Sequence, residues 1–475
     1  MNKTSSVGLA AVLCLYAGAY AFAEDASSEA RFRELYKELV ETNTTLSAGD
    51  CTLAAERMAA HLRRAGFADA ELHLVAAPEH PKEGGLVAVY PGRDAKRKAI
   101  LLLAHLDVVE AKREDWTRDP FTLVEESGIF YARGVVDDKA EGAIWVDTLV
   151  RLREQHYRPL RTLKLALTCG EETAGAFNGA QWLSANHRDL IDAAFALNEG
   201  ARGELDAQGR RVALEIQAGE KTAQNYRLEV TNPGGHSSLP VRDNAIYHLA
   251  GALKKIEAYT FPAQFTDANR AYFAGMAKIQ AARGETATAE AMQALVRDPA
   301  DARAIELVSA QDPGWNATLH TTCVATMLDA GHATNALPQR ARANINCRIF
   351  PGVTQEAVRS TLEEVVADPA VRVITLDTRR PSSPPPPLTG QILGPFAKLA
   401  AQFWPGVPVL PILQPGATDG QFLTAAGIPT YGIDPLFLGP DLGHIHGLNE
   451  YLSVTSLLEC REFLFRLVKS YADQK

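Results

Sequence analysis

The sequence predicts an α/β protein of two domains, in which a smaller βαββαβ unit is inserted into a larger unit built on a mixed sheet. A chain of 475 residues is longer than a single hydrophobic core usually supports, so we expect more than one domain. Short apolar runs alternate with segments of helical spacing, as in sheets covered by helices. Residues 221–376 show a strand–helix order of their own. The predicted bounds are 24–217 and 388–475 for the larger unit and 218–387 for the inserted one.

Composition and net charge limit the kinds of molecule that the protein is expected to bind. The chain is 46% hydrophobic and 22% charged, which is typical of a globular protein. Its formal net charge is −9, and it has no dense basic run. Nucleic acids and anionic membrane surfaces are therefore poor candidates as partners.

Residues 1–23 have the pattern of a secretory signal peptide. A charged residue, Lys3, precedes a mostly apolar stretch that ends in Ala21-Phe22-Ala23. A membrane anchor is the alternative, but the apolar core is short for a span of about 20 residues. We expect cleavage after Ala23 and a mature protein that is secreted, or periplasmic if the source is a Gram-negative bacterium.

The mature chain has five cysteines without any Cys-x-x-Cys pair: Cys51, Cys169, Cys323, Cys347 and Cys460. Their scattered spacing predicts at most one or two disulfides, with a pairing that the sequence does not reveal. We expect most of them to be small buried side chains.

The elements of the larger unit follow from apolar spacing. In order, they are helices over 28–42 and 53–62, strands over 71–75, 86–90 and 99–110, a helix over 139–154, strands over 163–168 and 193–197, and a helix over 394–402. The apolar run at 99–110 is continuous, so its strand is expected to be buried on both faces.

The inserted unit shows the order β-α-β-β-α-β, which is the ferredoxin-like arrangement. Its predicted elements are strands over 226–231, 321–328, 343–349 and 371–376 and helices over 244–258 and 355–366. An Ala-rich helical insertion at about 260–313 interrupts the order. The proline-rich stretch 381–387 is a stiff linker back to the larger unit.

The buried strand at 99–110 includes the sequence His105-x-Asp107 near its end. Side chains alternate along a strand, so His105 and Asp107 are expected to point the same way. In one interpretation, His105 binds a metal ion, and Asp107 orients the imidazole ring or modulates its charge. The other is a structural pairing of a histidine with a neighbouring carboxylate.

Acidic residues follow the other strands of the larger unit. Glu171 and Glu172 end one strand, and two adjacent carboxylates repel each other unless a cation or a proton neutralises them. Glu199 ends the next strand, and Asp137 precedes a helix, where a simple N-cap is the alternative. Because parallel strands present their carboxyl ends at one edge, we expect these groups to converge.

Two imidazoles and three carboxylates form the candidate ligand set: His105, Asp137, Glu172, Glu199 and His446. This mixture suits zinc, with cobalt or manganese as alternatives. Five ligands are too many for one tetrahedral ion that keeps a water, so we predict two Zn²⁺ per chain bridged by Asp137. Two such ions acidify a water and polarise a carbonyl. Glu171 adjoins a ligand and is the candidate general base.

Five ordered motifs of the chain resemble those of the M20 family of metallopeptidases. They are Leu-Ala-His105-Leu-Asp107, Arg-Gly-Val-Val-Asp137-Asp138-Lys139, Gly-Glu171-Glu172-Thr, Asn-Glu199-Gly and His446-Gly-Leu-Asn-Glu450. The resemblance implies a zinc-peptidase catalytic domain, and it implies that the inserted unit is a lid or dimerisation domain. Family members include carboxypeptidase-like and aminoacylase-like enzymes and dipeptidases.

The resemblance also implies three site residues in the inserted unit. His236 would donate a hydrogen bond to the developing oxyanion, often across a dimer, although a plain loop histidine is the alternative. Arg348 would bind the substrate carboxylate, and Asn335 would add a second lid contact. One departure is Asn198, where similar motifs often have Asp. Another is Thr418-Asp419-Gly420-Gln421, which lacks a basic residue that many relatives have and leaves substrate preference open.

The predicted function is that of an exported binuclear metallopeptidase or amidohydrolase. It would cleave a peptide or N-acyl amide bond beside a free carboxylate and release an amino acid, with a homodimer implied by the resemblance. The alternatives are a non-catalytic peptide or amino-acid binding protein on the same fold and a single-metal amidohydrolase whose other site is lost because of Asn198.

Overall fold

The computed structural model describes residues 26–173, 175–376 and 380–474. It shows an α/β protein with a large mixed sheet and a separate four-stranded antiparallel sheet, which confirms the predicted fold class. The predicted signal peptide lies outside the described residues. None of the helices in the described part has both the length and the apolar character that crossing a bilayer requires.

The large sheet carries three central strands that run parallel. Its path is Leu72–Val75, Gly85–Tyr90, Leu163–Thr168, Ile100–His105, Phe195–Asn198, Thr430–Gly432, Arg211–Glu220, Gly203–Leu205 and Phe437–Leu438, and Val409–Gln414 also pairs with Arg211–Glu220. All six residues of Ile100–His105 are buried, as expected for a strand covered on both faces. Because this strand is parallel to both of its neighbours, their carboxyl ends meet at one edge.

Helices cover both faces of this sheet. They comprise residues 26–40, Cys51–Arg64, Lys139–Glu154, Gly179–Asn186, Arg188–Ile191, Gly390–Phe403, Gly420–Ala425 and Val454–Ala472. Short strands Val124–Glu126, Ile129–Tyr131 and Tyr451–Ser453 form a small sheet beside them. The helix Lys139–Glu154 is buried along most of its length, and Trp145 donates a hydrogen bond to the carbonyl of Leu103 in the central strand (3.1 Å). This contact fixes the helix that follows Asp137 against the sheet.

The four-stranded sheet has the strand order of a βαββαβ unit. Its strands lie in the order Thr322–Ala330, Arg340–Ile349, Thr222–Thr231 and Arg372–Thr375, and every pair is antiparallel. The helices Ala245–Ala258 and Gln355–Val366 pack on one face through a shared apolar cluster. Burial alternates along Arg340–Ile349, because only one face of the sheet is covered. The domain bounds and the lid role stay predictions.

The helical insertion packs on the large sheet, although it interrupts the smaller unit in sequence. Its helices are Asp267–Ala282, Thr286–Arg297, Ala302–Gln311 and Pro313–Leu319. They share an apolar cluster with Ala213 and Leu410 of the large sheet. The contact is close, since a Cβ on Gly275 would lie 2.2 Å from a methyl carbon of Leu410. The insertion therefore links the two units.

Two disulfides, Cys51–Cys169 and Cys323–Cys347, are present, and Cys460 is a free, buried thiol. Their number agrees with the upper limit set by the sequence. Four of the five cysteines between residues 26 and 474 are buried, as expected, but only Cys460 of these four is free. Cys51 and Cys169 are 118 residues apart, so their proximity arises only when the helix that starts at Cys51 packs beside the strand that ends before Cys169.

Candidate active site

The five predicted ligands meet at the carboxyl edge of the central strands. His105 Nε2 lies 3.0 Å from Asp137 Oδ1 and 3.8 Å from Glu199 Oε1. His446 Nε2 lies 3.1 Å from Asp137 Oδ2 and 3.0 Å from Glu172 Oε2. Within each triplet, the ligand atoms all lie within 4.8 Å of one another. Asp137 belongs to both triplets and offers one oxygen to each, which is the arrangement expected of a bridging carboxylate.

Glu450 holds the segment before Asp137 in place. Its buried carboxylate accepts hydrogen bonds from the backbone N–H groups of Gly134 and Val136 (both 2.9 Å) and pairs with Arg133 (2.7 Å). Arg133 also donates to the carbonyl of Gly447, next to the ligand His446 (2.8 Å). Sequence reasoning included Glu450 in a motif but assigned it no role. Its contacts join the segments that carry two ligands.

Asp107 makes contacts beyond the one expected with His105. Its carboxylate accepts backbone hydrogen bonds from Gly170, Glu171 and Glu172, at 2.7, 3.3 and 3.1 Å. The His105 ring is held by the backbone carbonyl of Asp107, 3.0 Å from Nδ1, while the carboxylate oxygen is 3.7 Å from that atom. The strand ends at His105, so strand alternation does not extend to Asp107. The Asp107 side chain therefore fixes the candidate base segment.

Glu171 lies beside the ligand set and is paired with an arginine that the sequence did not reveal. Arg380 Nη2 lies 2.8 Å from Glu171 Oε1, and Arg380 also donates to the carbonyl of Thr418 (3.0 Å). Burial raises the pKa of Glu171 to about 7, against the opposing charge of Arg380. Arg380 directly precedes the proline-rich linker, where no periodic pattern marks it as functional.

The charges of the site favour bound cations. Hydrogen bonds to Asp137 and Glu172 raise the pKa of His446 to about 10. Burial lowers the pKa of His105, but Asp137 and Glu199 outweigh burial and raise it well above its ordinary value. Burial also raises the pKa of Glu172 and Glu199. The carboxylates therefore favour positive charge at this position. Imidazole and carboxylate donors in these triplets fit divalent ions such as zinc.

The contacts distinguish His446 from the nearby His444 and show the effect of Asn198. His446, rather than His444, reaches Asp137 and Glu172, whereas His444 packs edge-on against the ring of Tyr451. Asn198 is buried and donates to the hydroxyl of Thr418 (3.1 Å), while Glu199 still belongs to the first triplet. The Asn198 departure therefore leaves that triplet complete.

The residues implied for the inserted unit divide into two groups. His236 and Asn335 lie side by side on a small exposed ladder, where Ser237 N–H donates to the Asn335 carbonyl (3.1 Å). Among the described residues, none of their hydrogen bonds reaches the ligand set. Arg348 is half-buried, and its guanidinium makes no hydrogen bond or ion pair within the described ranges. Burial lowers the pKa of Arg348, and the charges of Arg380 and Glu171 also act on it.

Residues 101–470 of the sequence match a model of the family described as Peptidase family M20/M25/M40. The chain belongs to the M20/M25/M40 family. This result confirms the resemblance deduced from the motifs and the prediction of an enzyme of the peptidase and amidohydrolase class.

Relatives of this M20/M25/M40 member include both acyl-amino-acid enzymes and peptidases. The N-fatty-acyl-amino acid synthase/hydrolase PM20D1 of Homo sapiens is 30% identical over 402 residues, covering 80% of this chain and 75% of the relative. The metallo-carboxypeptidase Sso-CP2 of Sulfolobus solfataricus has a similar fold, with a TM-score of 0.68 and 18% identity over 93% of this chain and 99% of that chain. The Bacillus subtilis YXEP protein, titled a dinuclear metal-binding peptidase, has a TM-score of 0.57 and 13% identity over 94% and 98% of the two chains.

Proposed function

We propose that this protein is a binuclear amidohydrolase that cleaves N-acyl amino acids, with small peptides as the second substrate class. The observation that carries the proposal is the sharing of Asp137 by two ligand triplets beside a paired carboxylate, Glu171. PM20D1 is named for N-fatty-acyl amino acids and is the source of the preference for an acyl substrate. YXEP, titled dinuclear, supports two ions.

The chain's own residues can carry out the proton transfers of this hydrolysis. When bound, two divalent cations would supply Lewis-acid chemistry. Glu171 takes a proton from the attacking water, whose oxygen adds to the amide carbon, and returns a proton to the nitrogen as the carbon–nitrogen bond breaks. The products are a carboxylate and an amine. Arg380 keeps the Glu171 carboxylate in one orientation through its hydrogen bond.

The decisive experiment measures hydrolysis and metal content on the same sample. We expect release of free amino acid from N-acyl amino acids, two equivalents of metal, and loss of turnover on chelation that zinc or cobalt reverses. Binding of these ligands without turnover would favour the non-catalytic alternative. Full activity with one equivalent would favour the single-metal enzyme.

Arg348 is proposed to bind the free carboxylate of the substrate. Its guanidinium has no partner among the described residues and can form two parallel hydrogen bonds to a carboxylate. We expect Arg348→Met to raise KM about 10–100-fold, since a charged hydrogen bond contributes roughly 1.5–3 kcal/mol, and to change kcat much less. The check is a comparison of acid and amide forms of one substrate. Equal sensitivity of the two forms to the mutation would contradict this role.

A homodimer through the edge strand Thr322–Ala330 is also proposed. Val324, Met327 and Leu328 on this strand are 60%, 72% and 66% exposed. An exposed apolar edge with free backbone groups is a pairing surface unless something covers it. We expect Leu328→Lys to shift the protein from dimer to monomer in sedimentation velocity, whereas Leu307→Lys on the helical insertion leaves the dimer intact. A wild-type monomer at micromolar concentration would contradict the proposal.

Export is proposed on the basis of residues 1–23 and is supported by chemistry elsewhere in the chain. Two disulfides suit an oxidising compartment. Mass spectrometry of protein from the native host should give a mature chain that begins at Glu24. A chain that retains residues 1–23 in the cytoplasm would contradict this proposal.

A further inference from the structure

The Cys51–Cys169 disulfide joins a helix to the segment that carries the candidate base. Cys51 is the first residue of the helix Cys51–Arg64, and Cys169 follows the central strand Leu163–Thr168. Glu171 and Glu172 come two and three residues after Cys169. The bond is therefore a covalent link between the helical layer and the point where a candidate ligand and the candidate base leave the sheet.

The segment after Cys169 is held by hydrogen bonds from other parts of the chain, including one that Asn178 donates to the carbonyl of Gly170 (3.1 Å). Residues 170–173 and 175–178 contain neither helix nor strand. Asp107 accepts backbone hydrogen bonds from three of these residues, and Cys169 accepts one from Gly179 (2.7 Å). Gly170 has φ +94°, and a Cβ there would lie 1.9 Å from the carbonyl oxygen of Phe177. Without a ladder of backbone pairs, the position of Glu171 depends on these contacts, on the hydrogen bonds that Arg380 donates to its carbonyl oxygen and carboxylate, and on the disulfide.

A cavity of about 180 Å³ reaches the disulfide from the side of the N-terminal helices. Both cysteines line it, together with Asp107, Lys82 and Glu83. Both cysteines are buried, and this cavity is the space through which we expect a small reagent to reach their sulfur atoms.

We propose that the Cys51–Cys169 disulfide positions Glu171 and Glu172 for hydrolysis, and that a small two-electron reductant entering this cavity switches turnover off. The inference rests on the proposed function of these two residues. With a dithiol as reductant, the sulfur–sulfur bond breaks, Cys51 and Cys169 each become a thiol, and the dithiol is oxidised to a disulfide. The freed segment then loses its covalent link to the helix.

The chain offers a matched control in its second disulfide. Cys323 and Cys347 face each other across two hydrogen-bonded strands of the four-stranded sheet. That ladder holds the strands in register without the bond. Replacing both cysteines by serine removes a disulfide of the same protein without touching the segment after Cys169.

The experiment compares C51S/C169S, C323S/C347S and wild type, each with and without a phosphine, because dithiols also bind zinc. The phosphine becomes its oxide with the oxygen of one water as two thiols form. We expect C51S/C169S to lower kcat at least tenfold, change KM less than threefold and weaken one metal equivalent at least tenfold. Reduced wild type and reduced C323S/C347S should show the same kcat and metal affinity as C51S/C169S. The phosphine should change neither value in C51S/C169S itself. Unreduced C323S/C347S should keep wild-type metal affinity.

Wild-type kcat and metal affinity in folded C51S/C169S would overturn the proposal, as would equal inactivation of that variant by the phosphine. If C51S/C169S fails to fold, the reduced wild type decides. At least four newly titrated thiols, which show that both disulfides are open, together with an unchanged circular dichroism spectrum and full activity would then refute it. Metal affinity is measured without substrate, so a wrong substrate class in the proposed function leaves this arm interpretable.

Discussion

Replacing Glu171 by glutamine is expected to lower kcat by about 10³-fold or more, since positioned proton transfer contributes about 10²–10⁴-fold. The substitution keeps the size of the side chain and a hydrogen-bonding oxygen for Arg380 but removes the group that accepts a proton. Glu171 is adjacent to the ligand Glu172 without belonging to either triplet. Metal content should therefore stay within twofold of wild type. Steady-state kinetics and metal analysis on one preparation test both expectations.

Glu215→Gln is the matched control for Glu171→Gln. Burial raises the pKa of Glu215 to about 8, so this carboxyl is mostly protonated at neutral pH and an amide replaces it closely. Glu215 lies on the large sheet outside both ligand triplets, and we expect its variant to keep kcat within threefold. Robust turnover by Glu171→Gln, or loss of metal from it, would refute the assignment of Glu171 as the base.

Elements with a strong local pattern were predictable to the residue. The helices 139–154 and 355–366 and the strand 163–168 have the predicted bounds. The strand Arg211–Glu220 was missed because two polar residues, Glu215 and Gln217, interrupt its apolar run although both are buried in the sheet. The strand at 99–110 ends five residues earlier than predicted, since apolar residues continue into the buried loop that follows.

His105, Glu172 and Glu199 were predictable as a group because strand ends in a parallel sheet converge, whereas Asp137 and His446 lie in loops and were included for their residue types. Contacts made by loops were not predictable. Arg380 reaches Glu171 across 209 residues of sequence, and Glu450 reaches Gly134 across 316. Neither distance leaves a periodic signal. The attachment of the helical insertion to the large sheet was hidden for the same reason, because the apolar faces of Asp267–Ala282 do not indicate their partner.

Asp137 is the residue whose loss should affect the whole centre, because it is the single carboxylate common to both triplets. Loss of a group that merely supports a ligand weakens metal binding about 10–100-fold, and a shared ligand counts in both sites. For Asp137→Ala, we therefore expect both metal equivalents to weaken by more than about 100-fold and kcat/KM to fall by about 10³-fold or more. A chelator-competition titration and kinetics at saturating zinc measure the two effects.

Thermal unfolding separates a loss of metal binding by Asp137→Ala from a loss of folding. A metal that binds only the folded state stabilises it by about 2.7 kcal/mol when present at 100 times its Kd. Zinc should raise the Tm of wild type by a few degrees and leave that of Asp137→Ala unchanged. Asp441→Asn is the control. Asp441 precedes His446 in the same loop, accepts a hydrogen bond from the Tyr451 hydroxyl and lies outside both triplets. Its Tm should respond to zinc as wild type does. If Asp137→Ala still bound one equivalent of metal tightly, each ion would have its own ligands. The shared-carboxylate arrangement would then be wrong.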